Sequence, residues 1–168
     1  MAAKPSRSRS PTATACAEYS FRQRFRVPPD AAFRWCIDFE PYDARHSGGH
    51  GSRKVTWVAP RTVVLDDVFP APGGKRVRKV KAVQVYPETR SWVSTHILGP
   101  NHHSQFRYRI EPDGRKGSAL VFEGRDIRWH GPKLSPAAER KLSGRLRDED
   151  SALWKEFASL MERDLLPK

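Results

Sequence analysis

Between Glu18 and Val27 apolar and polar residues alternate. Tyr19, Phe21, Gln23, Phe25 and Val27 share one face; Ser20, Arg22, Arg24 and Arg26 share the other. A period of two with one apolar face predicts a half-buried strand. Pro28-Pro29-Asp30 breaks the pattern. Asp30 suits a helix N-cap, and Ala31-Ala32-Phe33-Arg34-Trp35-Cys36-Ile37-Asp38-Phe39 reads as a short helix. Pro41 ends that helix or opens a second short one through Tyr42 and Arg45, and Ser47 to Ser52 (SGGHGS) reads as a loop.

A run of strands follows. The pattern predicts them at Lys54–Ala59, Arg61–Phe69, Lys75–Tyr86, Arg90–Leu98, Ser104–Glu111 and Ser118–Trp129, with turns at Pro60, Pro70–Gly74, Gly99-Pro100-Asn101 and Pro112-Asp113-Gly114. The third of these changes phase between Val77 and Val80, which a bulge near Lys79 explains. Trp92, Ser94 and His96 share a face, as do Phe106, Tyr108 and Ile110 on the next strand.

After Gly131-Pro132, Ser135-Pro136 supplies an N-cap and a proline at the first helical position. A helix of roughly eight turns then runs to about Leu166. Leu142, Leu146, Leu153, Phe157 and Leu160 fall on a narrow stripe of it. A run of antiparallel strands with its helices set apart means an α+β layered domain. A sheet of this size curls, and the long amphipathic helix is the element able to cover its hollow side. The expected fold is a helix-grip: about six or seven antiparallel strands wrapped over a long C-terminal helix, with two short helices after the first strand.

Composition refines this picture. The chain has 168 residues, 38% hydrophobic and 30% charged, which suits a globular domain that needs no covalent staples. Residues 1–17 are rich in Ser, Pro, Ala and Arg without periodicity and read as a flexible basic tail. Residues 18–168 read as one domain. No apolar run is long enough to span a bilayer and no secretory signal opens the chain. Cys16 and Cys36 are the only cysteines, so a disulfide framework is not expected; two thiols suit a reducing compartment, and the chain reads as cytoplasmic.

The net charge is +12. Residues 135–168 balance seven basic against seven acidic side chains, and the tail carries Lys4, Arg7 and Arg9. The excess therefore sits mostly on the strands, above all on Lys75, Arg76, Arg78, Lys79 and Lys81. Such a surface attracts anions, whether nucleic acid, anionic lipid or an acidic ligand. Valines rather than aromatics interleave these cations, which favours a solvated outer sheet face over a base-stacking platform.

Two segments resemble the START-like (SRPBCC) superfamily, which includes polyketide cyclases and lipid-transfer domains. Phe25 to Asp38 (FRVPPDAAFRWCID) looks like the family's opening strand, proline turn and first helix ending in Asp. Phe106 to Val121, with Glu111-Pro112-Asp113-Gly114-Arg115-Lys116-Gly117-Ser118, resembles its late hairpin, built on a Pro-x-Gly-x-Gly-Thr turn. Here Ser118 replaces the threonine and one residue is inserted between the glycines. The resemblance covers about Glu18 to Leu166 and implies a cavity between the long helix and the sheet. It does not choose among carriers, sensors, cyclases and hydrolases.

If these faces line such a cavity, Trp57, Trp92, Ser94, His96, Phe106, Tyr108, Phe122, Glu149, Leu153 and Phe157 are the candidate ligand-binding residues: aromatic walls with a few polar handles. Glu149 lies within the apolar stripe of the helix and would point inward, needing a partner or a proton; otherwise it is solvated at the cavity mouth. Glu149, His96 and Tyr108 are the acid/base candidates should the protein be an enzyme. Asp164 lies on the stripe near the helix end and is expected in solvent. His46 and His50 flank a glycine loop and His102-His103 open a strand, but neither pair sits in a recognised metal motif, so no metal and no cofactor is expected. No phosphate-binding loop, dinucleotide fingerprint or nucleophile elbow is present.

Three functions stay open: binding of a hydrophobic or amphipathic small molecule (lipid, sterol, quinone or polyketide-like) as carrier or sensor; a cyclase, dehydratase or hydrolase; and attachment to nucleic acid or an anionic surface through the basic strand.

Overall fold

A computed structural model describes residues 13–40 and 51–167 of the chain. Seven antiparallel strands, β1 (Ala15–Phe25), β2 (Ser52–Ala59), β3 (Thr62–Pro70), β4 (Arg76–Tyr86), β5 (Ser91–Leu98), β6 (Gln105–Asp113) and β7 (Gly117–Arg128), form one sheet in the order β1-β7-β6-β5-β4-β3-β2. Two α-helices, α1 (Pro29–Cys36) and α2 (Pro136–Leu165), and two single-turn 3-10 helices at Pro72–Gly74 and Pro87–Thr89 complete the described chain. The curved sheet grips α2, so the helix-grip expectation holds.

Local chemistry accounts for the boundaries. Ser135 caps α2 by accepting a hydrogen bond from the Ala138 amide at 3.3 Å, and Pro136 follows at the first helical position. The β6–β7 hairpin turns through Gly114 at φ +71°. At Gly117 a Cβ would stand 2.7 Å from the Asp113 carbonyl oxygen, so the hairpin closes only over a glycine. The expected bulge in β4 is present: its pairing with β5 shifts register between Val80 and Lys81.

Three expectations are corrected. β1 begins at Ala15, inside the segment assigned to the tail, because its full length pairs with β7 from Ala15 opposite Arg128 to Phe25 opposite Ser118. Asp30 is not the cap of α1. Pro28 holds that position and Asp30 sits in the first turn, where its carboxylate pairs with Arg90 of the β4–β5 turn. The stripe on α2 is also rotated. Its buried residues are Trp154, Ala158 and Met161, while Leu142, Leu146, Leu153, Phe157 and Leu160 are only partly covered. The expected second short helix, with Tyr42 and Arg45, lies outside the described residues, as do His46, His50 and the first part of the basic tail.

The core joins both layers. Phe25, Val27, Ala32, Phe33, Ile110, Leu120, Phe122 and Met161 are buried together, and Ser118 donates its hydroxyl to the Val27 carbonyl at 2.8 Å. Burying each large apolar side chain contributes about 1.5–3 kcal/mol. Among the described residues no helix is long and apolar enough to cross a membrane.

Candidate functional site

Residues directly opposed on antiparallel strands share a face. From one edge of the sheet to the other, Trp57, Val63, Val83, Ser94, Phe106, Gly124 and Tyr19 therefore form one row. Val85, Trp92, Tyr108, Phe122 and Phe21 form the next. Gly124 is the bare place in the first row: a Cβ there would stand 2.9 Å from both the Phe122 and the Tyr19 rings. The helix faces these rows. Trp92 stacks on Tyr108 with ring centres 4.8 Å apart, and Trp154 of α2 lies 5.9 Å from Tyr108 and 6.5 Å from Trp92.

Helix and sheet do not close on each other. A cavity of about 790 Å³ lies between them, lined among others by Tyr19, Lys79, His96, Phe106, Tyr108 and Asp150. A smaller space of about 180 Å³ adjoins it beneath α1, walled by Trp35, Cys36, Leu65, Trp92 and Ser94. Arg53, Lys81, Tyr108, Trp154 and Phe157 wall both. The volume falls in the usual range for small-molecule sites.

Most of the candidate residues meet here. His96, Phe106, Tyr108, Phe122, Leu153 and Phe157 line the larger space; Trp92 and Ser94 line the smaller one. Trp57 does not. It is 50% exposed near the sheet edge and packs against Phe39. Glu149 reaches only the mouth: its side chain is 61% exposed and pairs with Arg145 one helical turn earlier. The inward carboxylate is its neighbour Asp150, which accepts a hydrogen bond from the Tyr19 hydroxyl at 2.6 Å. Burial pushes the Asp150 carboxyl above its ordinary value, against the pull of the Tyr19 bond. Burial and the Asp150 carboxylate push the Tyr19 hydroxyl upward, so tyrosine keeps its proton and donates. Asp164 is exposed, as expected, and accepts from the Trp35 indole at 3.2 Å.

The basic strand divides between the two faces. Arg76 and Arg78 point outward, with Arg78 paired to Asp66. Lys79 and Lys81 turn into the cavity, which corrects the reading of this strand as one solvated face. Lys81 and Arg53 hold the fully buried Asp67, both at 2.7 Å. Burial alone would raise the Asp67 carboxyl, but its two cationic neighbours outweigh that and hold it below its ordinary value. Lys79 has no carboxylate partner among the described residues and rests 5.8 Å from the centre of the Phe69 ring.

Two hydroxyls also stand unengaged. Ser94 is 5% exposed and its Oγ finds no hydrogen-bond partner among the described residues. Tyr108 likewise makes ring contacts but no hydrogen bond there, and burial keeps its hydroxyl protonated. His96 is buried, with Nδ1 2.9 Å from the Asn101 side-chain oxygen; burial lowers its pKa to about 4, so the ring is neutral at pH 7. His102 and His103 lie against Trp129 instead, and no metal-binding cluster occurs among the described residues.

Tyr19, Lys79, Lys81, Asn101, Asp150 and Trp154 were not among the sequence candidates. Tyr19 was already on the apolar face of β1, and Trp154 added to the leucine stripe would have turned it toward Asp150.

No protein-family model matches the sequence, and comparison with curated proteins finds no match. Solved structures do match. An aromatase/cyclase from Streptomyces sp. R1128 superposes with a TM-score of 0.70 at 13% identity, over 88% of this chain and 94% of that one. A START superfamily protein from Mycobacterium smegmatis gives 0.61 at 19% identity, over 87% and 97%. A protein from Thermus thermophilus gives 0.70 at 17% identity, over 88% and 99%. Strand order, the cradled C-terminal helix and these superpositions agree: the chain has the START-like, helix-grip fold.

Proposed function

We propose that the protein binds a hydrophobic or amphipathic small molecule, of lipid, sterol, quinone or polyketide-like character, between α2 and the sheet, as a carrier or sensor. One observation carries this reading: the cavity of about 790 Å³, with aromatic walls on one side and charged and polar groups such as Lys79, Lys81, His96 and Asp150 on the other, lies where a close-packed core would otherwise be. The aromatase/cyclase and the START superfamily protein that share the fold support it at the level of architecture. The test is a thermal-shift panel of fatty acids, sterols, quinones and aromatic polyketides. A guest at 100 times its dissociation constant adds about 2.7 kcal/mol of stability. Absence of a shift with every class would count against the proposal.

Chemistry on the guest is the second reading. The neutral His96 shares a cavity with Tyr108, as an acid/base pair requires, and Asp150 takes the inward place expected of Glu149. Product analysis by mass spectrometry after incubation with each bound guest separates the two readings. Attachment to an anionic surface has weaker support, because Lys79 and Lys81 turn away from the outer face.

A further inference from the structure

The polar end of the cavity is built so that hydrogen-bond direction can be followed from one group to the next. Asp126 is buried on β7 and accepts from Arg128 Nε at 2.6 Å. A carboxylate held this way can only accept. Asn101 Nδ2 reaches its other oxygen at 3.3 Å, so the amide of Asn101 is turned with its nitrogen toward Asp126. Its oxygen therefore faces His96 Nδ1 at 2.9 Å and accepts a hydrogen bond from the Nδ1–H. The turn supports this placement: the Ser104 amide donates to the Asn101 carbonyl at 3.1 Å, and the His96 amide to the Ser104 carbonyl at 2.9 Å. In a neutral imidazole with the proton on Nδ1, Nε2 carries the lone pair. Nε2 has no partner among the described residues, and His96 lines the cavity together with Lys79.

We propose that Asp126 and Asn101 fix His96 as an acceptor at Nε2, and that this end of the cavity selects a guest whose polar group donates a hydrogen bond, a hydroxyl, with the Lys79 ammonium favouring an acidic one such as a phenol or enol. A guest ending in an ether or ketone would leave the His96 lone pair unsatisfied, and unsatisfied buried groups are what make such discrimination steep. Asn101 and Asp126 act through His96 and are positioning residues. The inference rests on the cavity reading above.

Two measurements test it on the full chain. A long-range proton–nitrogen NMR spectrum at pH 7, with His96→Gln identifying the signal, should show His96 protonated on Nδ1; a proton on Nε2 overturns the proposal without any guest. Titration calorimetry with 2-naphthol and 2-methoxynaphthalene should then show the naphthol bound about tenfold or more tightly. Asn101→Ala should collapse that preference to about twofold or less. Equal binding of the pair, or a preference that survives Asn101→Ala, overturns the inference but leaves the cavity reading standing. Binding of neither also overturns the inference, and the cavity reading then stands or falls with the wider thermal-shift panel.

Discussion

The Tyr19 hydroxyl donates to Asp150 at 2.6 Å, joining the first strand to the last helix across 131 positions of sequence. The bond is made inside the cavity wall, where burial already disfavours the carboxylate's charge. It follows that the two partners are not equally replaceable.

Tyr19→Phe leaves Asp150 buried without its donor and should destabilise the protein by about 1–3 kcal/mol. Asp150→Asn removes the charge and keeps an acceptor for Tyr19, so it should cost less than Tyr19→Phe or even stabilise. Urea denaturation of both single variants and the double variant measures the coupling. Two independent, additive effects would contradict the bond's role.

His96 should make the protein acid-sensitive. Its pKa is about 4 when folded against 6.5 for the free side chain, because burial and the nearby Lys81 and Lys79 charges outweigh the Asn101 bond and the Asp126 charge. Between those values the unfolded chain binds a proton that the native state refuses, so stability falls as pH drops from 6.5 toward 4. The loss is on the order of 3 kcal/mol. Asp150 works in the opposite sense, since a raised carboxyl takes up its proton first in the native state. His96→Gln should flatten the decline between pH 6.5 and 4; an unchanged profile would show that other groups govern it.

Asp67 is the counter-ion of two cavity-lining cations, and it is fully buried. Asp67→Ala should cost about 3–5 kcal/mol, because Arg53 and Lys81 would be left facing each other without it. The readout is the urea midpoint at constant m. A loss below about 1 kcal/mol, typical of a solvated pair, would contradict this account.

Ser94 predicts the reverse pattern. Its hydroxyl has no partner among the described residues, so Ser94→Ala should leave the empty protein as stable as before or about 1 kcal/mol more so. If a guest's polar atom fills that place, the same change should weaken the guest's thermal shift. A variant that unfolds more easily when empty would point to a bridging water as the missing partner.

Much of the architecture was legible in local pattern. Period-two alternation located the strands and put Trp92, Ser94 and His96 on one face of their strand and Phe106 and Tyr108 on one face of theirs; the register makes the two faces one. Ser135-Pro136 marked the start of α2. What pattern could not supply was phase and register. Weighting the helix stripe by its leucines pointed it at Glu149; the bulk of Trp154 and the close packing of Ala158 and Met161 turn it by one residue, to Asp150. Likewise, the grouping of Arg53, Asp67 and Lys81 depends on which residues of three separate strands fall beside one another. No short stretch of sequence contains that information.

Carboxylates of α2 also meet the two ends of β1. Glu139 accepts from the Cys16 amide at 3.0 Å and Glu162 from the Arg26 amide at 2.8 Å. With Asp150 between them, the helix hangs along one margin of the sheet as a door hangs on its post. On the opposite side the Trp35 indole of α1 donates to Asp164 at 3.2 Å, and Trp154 meets Trp92 and Tyr108 through ring contacts. Parting the helix from the molecule on the side away from β1 would thus cost the Trp35–Asp164 bond, where parting it along β1 would cost the bonds of Glu139, Asp150 and Glu162.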